Sequence, residues 1–543
     1  MSPRSQALPS MSRRDAMKGA GALAFAAFAG AATGSAEARL NILYIMSDDH
    51  AATAIGCYGG RLARLDPTPH LDALAQEGTI FRNAFAVNSI CTPSRATILT
   101  GQHSHVNGVL DLDGQIEVRQ MILPRVMSAF GYQTAMIGKW HLKTEPAVFE
   151  HYAVLPGQGK YHDPDFLVRG PKPWPENIVQ MNGHSSDMIT DRSLEWLRNR
   201  DRSRPFFLMH HFKAPHDMFQ YAARYSNYLA DTEIPEPASL YSQADWGSPA
   251  TRGVNDTMRG SIGSSLSMRN RPRSLGLRLG IDPDLPDEVF RHRAYQEYLK
   301  RYLRCVKGVD DNVARLIDHL KATGEWDNTL IIYTSDQGMM LGEHDLIDKR
   351  WMFEESMRMP LILRDPRVGN SVPEVDAIIN NTDFAPYMIE RAGGTVPDEM
   401  QGESFAKLAA GQPQPEWRTA TYYRYWMHRT HHDVPAHFGI RTDCYKLIFY
   451  YGVHYATPDP QQNTPRIFPG EIAPRWAVPT PPGWEFYDLK HDPEELHNRY
   501  VDVAYRDVIE ALKAELARQR TLLGDTDEAY PHIAEIVQRH WND

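Results

Sequence analysis

The sequence predicts an α/β fold: a large, mostly parallel sheet flanked by helices, followed by a smaller C-terminal antiparallel sheet plus helix. Three observations predict it. Several short apolar runs stop abruptly at polar or charged residues, as buried parallel strands do. Stretches with helical apolar spacing lie between them. Towards the end of the chain, strand-like runs return near Thr421–Tyr425, Tyr445–Tyr451 and Trp484–Leu489, and a helical pattern near Val501–Leu523 closes the chain.

In chain order, residues 1–38 read as an address and stand outside the fold. Ser12-Arg13-Arg14-Asp15-Ala16-Met17-Lys18 is a twin-arginine pattern, an apolar Ala/Gly/Phe stretch runs from about Gly19 to Ala32, and Ala36-Glu37-Ala38 offers a small-x-small cleavage site. The apolar stretch is too short and too rich in Ala and Gly for a membrane anchor, so no stable membrane span is expected. The pattern predicts export of a folded chain through the twin-arginine machinery, to the periplasm or beyond.

Four apolar runs follow. Asn41–Met46 leads into Ser47-Asp48-Asp49-His50, and Gln133–Ile137 into Gly138-Lys139-Trp140-His141. Phe206–His210 leads towards Lys213-Ala214-Pro215-His216, and Leu330–Thr334 into Ser335-Asp336-Gln337-Gly338. Ligand sites in open α/β sheets lie outside the C-terminal ends of the strands, so these segments are expected to aim polar groups at one crevice. The clearest helix spans about Tyr295 to Ala322, with Leu299, Tyr302, Leu303, Val306, Val309, Val313, Leu316, Ile317 and Leu320 on its apolar stripe. Gly324 suits its C-terminal cap. Asp310 and Asp311 read as solvated or capping charges of this helix. Residues 220–290 are polar and rich in Ser, Arg, Gly and Pro, too long for an ordinary loop, and read as an insertion over the active-site face. The expected organisation is a catalytic domain over 39–415 and a C-terminal subdomain over 416–543.

Composition excludes several function classes. The 543 residues are 42% hydrophobic, which excludes a disordered chain. The net charge is −10 without a basic stripe, which excludes a nucleic-acid surface. An anionic substrate must then be held by a local cluster of cations. The four cysteines are far apart, with no CxxC pair and no zinc spacing. Cys57, Cys305 and Cys444 read as buried thiols.

Cys91 is different. Cys91-Thr92-Pro93-Ser94-Arg95 precedes Ala96-Thr97-Ile98-Leu99-Thr100-Gly101. Pro93 can occupy the first turn of a helix, which places Cys91 at a helix N-terminus, where the dipole favours negative charge. Arg95 lies one turn on and can point back at the same anion. This stretch resembles the hallmark of the type I sulfatases of the alkaline phosphatase superfamily, C-x-P-S-R followed by a stretch like A-T-x-L-T-G. The resemblance covers nearly the whole mature chain and implies an alkaline-phosphatase-like fold. It also implies that a separate maturation enzyme converts Cys91 to formylglycine. A thiol sulfated on sulfur would have no easy internal route to release, whereas an aldehyde hydrate carries one hydroxyl to take the sulfate and a second to expel it.

The same resemblance implies the rest of the site. Asp48, Asp49, Asp336 and Gln337, with formylglycine at 91, would bind calcium through oxygen ligands. Gln337 departs from the Asn of many members but still offers an amide oxygen. Arg95, Lys139, His141, His216 and Lys349 would clamp the anion. Asp336 would help deprotonate the hydrate, His141 would assist elimination, and His216 or Lys349 would protonate the departing alcohol.

For the substrate, Gln158–Pro164 resembles a segment of carbohydrate sulfatases, including those for glucosamine 6-sulfate. Trp484–Pro493 resembles their C-terminal sheet and reads as structural. Tyr422–His432 combines aromatics, Arg and His. It reads either as an amphipathic strand or as a sugar-binding stretch in which His428 or His432 contacts a sulfated saccharide. Its spacing fits no standard zinc pattern. Two other readings remain open: a phosphonate monoester hydrolase or phosphodiesterase of the same superfamily, some of which share C-x-P-S-R, and a non-catalytic sulfoglycan-binding protein. The first uses a His beside its second metal-binding Asp, where this chain has Gln337. The second would be expected to have lost some of the site residues.

Overall fold

The computed structural model describes residues 39–241, 246–252, 257–258, 281–282, 285–456 and 475–543. The expected leader and a large part of the 220–290 stretch lie outside the described residues. Among the described residues, no helix is long and apolar enough to cross a membrane.

The four apolar runs form the four neighbouring strands at the centre of a ten-stranded sheet: Thr329–Ser335, Asn41–Asp48, Phe206–Pro215 and Gln133–Lys139. All four are parallel, and His151–Leu155 continues the parallel set. They form strands because both faces are covered, so continuous apolar runs are needed. On one face Leu43 and Ile45 pack with the long helix Asp287–Ala322 and with Ser185–Asn199. On the other, Ile42, Tyr44 and Met46 pack with Cys91–Thr100, Ile122–Ala129 and Phe384–Arg391. Each such side chain contributes about 1.5–3 kcal/mol by burial. The sheet is mixed at its margins, where Leu361–Arg364 and Asp165–Val168 run antiparallel to their inner neighbours.

Register positions the site. Ser47 lies level with Ser335, and Asp48 lies level with Pro215. The polar ends of the strands therefore emerge at one rim.

The long helix begins at Asp287, eight residues before the start near Tyr295 expected from the sequence. Its first turn carries Asp287 and Glu288, which suit the positive end of the helix dipole. Asp310 caps a different helix: its buried carboxylate accepts the backbone N–H groups of His70 and Leu71, at the start of Pro69–Gln76. Asp311 accepts from Tyr225 and Lys307, both at 2.7 Å. Cys305 is buried, whereas Cys57 and Cys444 are half-buried.

The smaller sheet has four antiparallel strands: Ala420–Tyr425, His437–Thr442, Tyr445–Tyr450 and Gly483–Asp488. The second of these is not visible in the sequence pattern, because Gly439 interrupts it. A side chain there would collide with the Leu447 carbonyl of the neighbouring strand. Helix Arg506–Leu523 covers one face with Ile509, Leu512 and Leu516. The described part of the 220–290 stretch touches the loop that carries Lys349: Trp246 packs on His344, and the Met258 N–H reaches Asp345.

Candidate active site

Helix Cys91–Thr100 starts after extended Ile90 and is buried along its whole length. Its polar side chains are used internally. Ser94 donates to the Asp336 carbonyl and accepts from Asn381 at 2.9 Å, and Thr100 donates to the Ala96 carbonyl at 2.8 Å. Gly101 ends the helix in the left-handed conformation, at φ 65°. Cys91 is 1% exposed, and its Sγ donates to Asp48 Oδ1 at 3.3 Å. Burial and then Asp48 push its thiol well above the ordinary range, against the helix dipole. The unmodified side chain is thus a protonated thiol and a poor nucleophile.

Asp48, Asp49 and Asp336 are fully buried, and each offers an oxygen within 4.8 Å of the others. Asp49 is held by its N–H on Asp336 Oδ1 at 3.1 Å and by Tyr302 of the long helix, whose hydroxyl donates to the Asp49 carbonyl at 2.7 Å. Gln337 donates from Nε2 to Asp49, and its buried Oε1 has no hydrogen-bond partner among the described residues. Three carboxylates with oxygens this close make a donor set that fits a hard divalent cation such as calcium, and the Gln337 amide, whose nitrogen faces Asp49, supplies a further oxygen when turned over.

Three cations interleave with these acids. Arg95 donates from Nε to Asp336 Oδ2 at 3.0 Å and from Nη1 to the Lys139 carbonyl at 2.6 Å. Lys139 bonds Asp48 and also Gln158 Oε1 at 2.5 Å. Lys349 bonds Asp49 Oδ2 at 2.6 Å. Burial alone would raise Asp48, but Lys139, His216, Arg95 and Lys349 outweigh it and hold its carboxyl well below the usual range. Asp336 goes the other way: burial and the Asp48 charge push it up to about 7, despite Arg95.

Both expected histidines stand at this rim. Thr92 Oγ1 donates to the His141 carbonyl at 3.2 Å and lies 3.4 Å from its Nδ1. Burial, Lys139 and Arg95 hold the His141 ring well below its ordinary value, so it is neutral at pH 7. His216 Nδ1 lies 2.5 Å from Asp217 Oδ1, and its Nε2 lies 3.8 Å from Asp49 Oδ2. The structure therefore brings Asp48, Asp49, Cys91, Arg95, Lys139, His141, His216, Asp336, Gln337 and Lys349 into one cluster.

Comparison with known proteins agrees in extent with this geometry. The family described as Sulfatase matches residues 40–394, and N-sulphoglucosamine sulphohydrolase, C-terminal, matches residues 342–460. An N-acetylglucosamine-6-O-sulfatase of Bacteroides thetaiotaomicron is 37% identical over 502 residues, covering 86% of this chain and 84% of its own. The chain belongs to the sulfatase family. It is a sulfuric ester hydrolase of the alkaline phosphatase superfamily. The solved structure of BT4656 in complex with its substrate D-glucosamine-2-N,6-O-disulfate is similar to this sulfatase with a TM-score of 0.78 and 35% identity, covering 90% of this chain and 99% of that one. The multifunctional alkaline phosphatase superfamily protein PehA of Trinickia caryophylli is 26% identical over 522 residues, covering 86% of this chain and 92% of its own.

Two further sequence candidates of this sulfatase separate in the structure. His428 is fully buried: its Nδ1 accepts the Ala436 N–H at 3.2 Å, and its Nε2 donates to the Val478 carbonyl at 2.9 Å. Neither ring nitrogen is left for a sugar. His432 is half-buried and lies 3.4 Å from Asp348 Oδ1, beside Lys349. Arg424 turns away from the site onto Asp525 and Asp527.

Sequence reasoning passed over Gln158, His211 and Lys213 as individuals. Gln158 holds Lys139, and His211 Nδ1 lies 3.4 Å from Arg95 Nη1 and 3.2 Å from the Lys139 carbonyl. His211 and Lys213 lie in the same strand end as His216, and that position was the available signal.

Proposed function

We propose that this sulfatase removes the 6-O-sulfate of a glucosamine unit in a sulfated saccharide. One observation carries the hydrolytic part: three buried carboxylates converge beside Cys91, with the Gln337 amide against Asp49 and with Arg95, Lys139 and Lys349 bonded among them. The sugar rests on the 37% identical N-acetylglucosamine-6-O-sulfatase and on the disulfated glucosamine bound in BT4656.

In this reading Asp48, Asp49, Asp336 and Gln337 hold calcium, which supplies positive charge against the sulfate oxygens when bound. Formylglycine made from Cys91 would supply a geminal diol at this point, with one hydroxyl as nucleophile towards sulfur and a second to allow release. Arg95, Lys139 and Lys349 neutralise charge on the transferring group. Asp336 would accept a proton at the residue 91 hydroxyl, neutral His141 would accept one during release, and His216, oriented by Asp217, would donate one to the departing alcohol. In this reading His432 contacts the sugar, which is supported by its half-buried ring lying 3.4 Å from Asp348, the neighbour of Lys349. The maturation enzyme must act before use, and Arg13-Arg14 directs the chain through the twin-arginine route to the periplasm or the medium.

Matured protein is to be assayed for sulfate and phosphate release from N-acetylglucosamine 6-sulfate, sulfated galactose derivatives, an aryl sulfate and a phosphodiester. Sulfate release from the glucosamine 6-sulfate is the expected result. Phosphodiester cleavage without sulfate release would overturn it in favour of the phosphonate-hydrolase branch. Cys91→Ala is expected to abolish turnover with an unchanged circular dichroism spectrum; wild-type activity in that variant would remove the proposed role of residue 91.

A further inference from the structure

The groups assigned to the clamp are bonded within the site. Arg95 lies on Asp336, Lys139 on Asp48 and Gln158, Lys349 on Asp49, and His216 on Asp217. Lys213 stands apart. It is 4% exposed, and among the described residues its ammonium has neither a hydrogen bond nor an ion pair. Its close neighbour is the ring of Tyr161, 4.7 Å from Nζ to centroid. Tyr161 is itself pinned, because its hydroxyl donates to the His216 carbonyl. The ammonium is thus held on a fixed aromatic face, between the strand end that carries His216 and the segment that carries Gln158.

The charges that act on Lys213 are those of the site. Burial lowers its pKa to about 8, helped by Lys139 and opposed by Asp48, Asp217 and Asp49. An ammonium taken out of water without an anion is unfavourable, and a ring face offsets only part of that. A fold tolerates such a group where an anion arrives to meet it.

We propose that Lys213 is an additional anion-binding residue of the sulfatase site, whose ammonium bonds a non-bridging oxygen of the sulfate group. This rests on the sulfate-ester reading given above. It adds one cation to Arg95, Lys139 and Lys349, and it explains why Lys213 has no bonded carboxylate among the described residues. The same contact would hold free sulfate after release, so Lys213 serves both the substrate and the product anion.

The test uses the full-length matured enzyme with Lys213→Met and Lys213→Gln. Three quantities are read: the inhibition constant of inorganic sulfate, the melting temperature with and without sulfate, and KM on a monosulfated and on a disulfated glucosamine. Both variants are expected to weaken sulfate by about tenfold or more. They are also expected to lose the sulfate-induced rise in melting temperature, and to melt at or above the wild-type temperature when no anion is added. An unchanged inhibition constant overturns the proposal, as does failure of both variants to fold, because a group awaiting an anion is not needed by the free fold. A raised KM for the disulfated sugar alone, with sulfate inhibition intact, moves Lys213 to a second sulfate and also overturns it. Should the wild type release no sulfate while sulfate still raises its melting temperature and not that of Lys213→Met, the hydrolase reading fails and the anion site stands.

Discussion

Replacing Arg424 by Met decides what the Tyr422–His432 stretch is for. Arg424 is 2% exposed. Its two terminal nitrogens lie 2.5 Å from Asp525 and 2.6 Å from Asp527, and its guanidinium stacks 3.6 Å over Trp426. Met keeps much of the packing volume but leaves two buried aspartates short of a partner. Breaking a buried ion pair from one side costs about 3–5 kcal/mol. A fold of about 500 residues has an unfolding entropy of about 1 kcal/mol/K, so the melting temperature should fall by about 3–5 °C. Adding Asp525→Asn should recover part of the loss, since one stranded charge is then gone. The assay is calorimetry of the single and double variants, with kcat and KM on a sulfated glucosamine measured well below the melt. Unchanged kinetics with a lowered melting temperature is the expected outcome. A raised KM at an unchanged melting temperature would refute the reasoning and return Arg424 to the sugar site.

Three other outcomes follow from the same geometry. Gln337→Asn should still bind calcium in titration calorimetry, whereas Gln337→Leu, which removes an oxygen ligand, should weaken it by about tenfold or more. His432→Ala should raise KM for the saccharide, while His428→Ala should leave KM alone and cost about 1–3 kcal/mol of stability through its two lost backbone hydrogen bonds. Acid should destabilise the fold through histidines buried in neutral form. Burial lowers His103 and His210 to about 3 and His437 to about 4. Their folded values lie below the unfolded value of about 6.5, so the unfolded chain binds more protons below that pH. Their stability contribution is complete above about pH 6.5 and is lost as pH falls towards 3–4. Each loses about 1.4 kcal/mol at pH 5.5, or about 4 kcal/mol for the three. Melting curves at pH 7 and 5.5 check this; a higher melting temperature at 5.5 contradicts it.

The central strands were legible because they are buried on both faces and stop at charged residues. The site was legible because its groups sit at those stops and around Cys91. The sheet margins were not legible: Thr79–Phe81 and Glu374–Val375 have three and two residues, too few to show a period. The roles of Arg424 and His428 were hidden for another reason. A strand that pairs in a small sheet and a strand that binds sugar can share one alternation of aromatic and polar residues. The partners that settle the matter, Asp525 and the Val478 carbonyl, lie 101 and 50 residues further on. Asp310 shows the same distance problem, since the helix it caps lies some 240 residues earlier. Lys213 offered only its position as a signal, because a lysine at a strand end is ordinary until it is seen to have no bonded carboxylate among the described residues.

The rim of the site is wound unusually. Asp49, His141, His344, Asp345, Asp348 and Arg350 all have φ between 56° and 88°, and none is glycine. Such backbones are disfavoured by roughly 1–2 kcal/mol each for residues with a side chain. They persist because a rigid sheet and the packed loop around Lys349 overdetermine them. The molecule is in this respect a sprung mechanism seated in a stiff frame. Warming is expected to release the spring before it bends the frame, so activity should fall at temperatures where circular dichroism still reports a whole sheet.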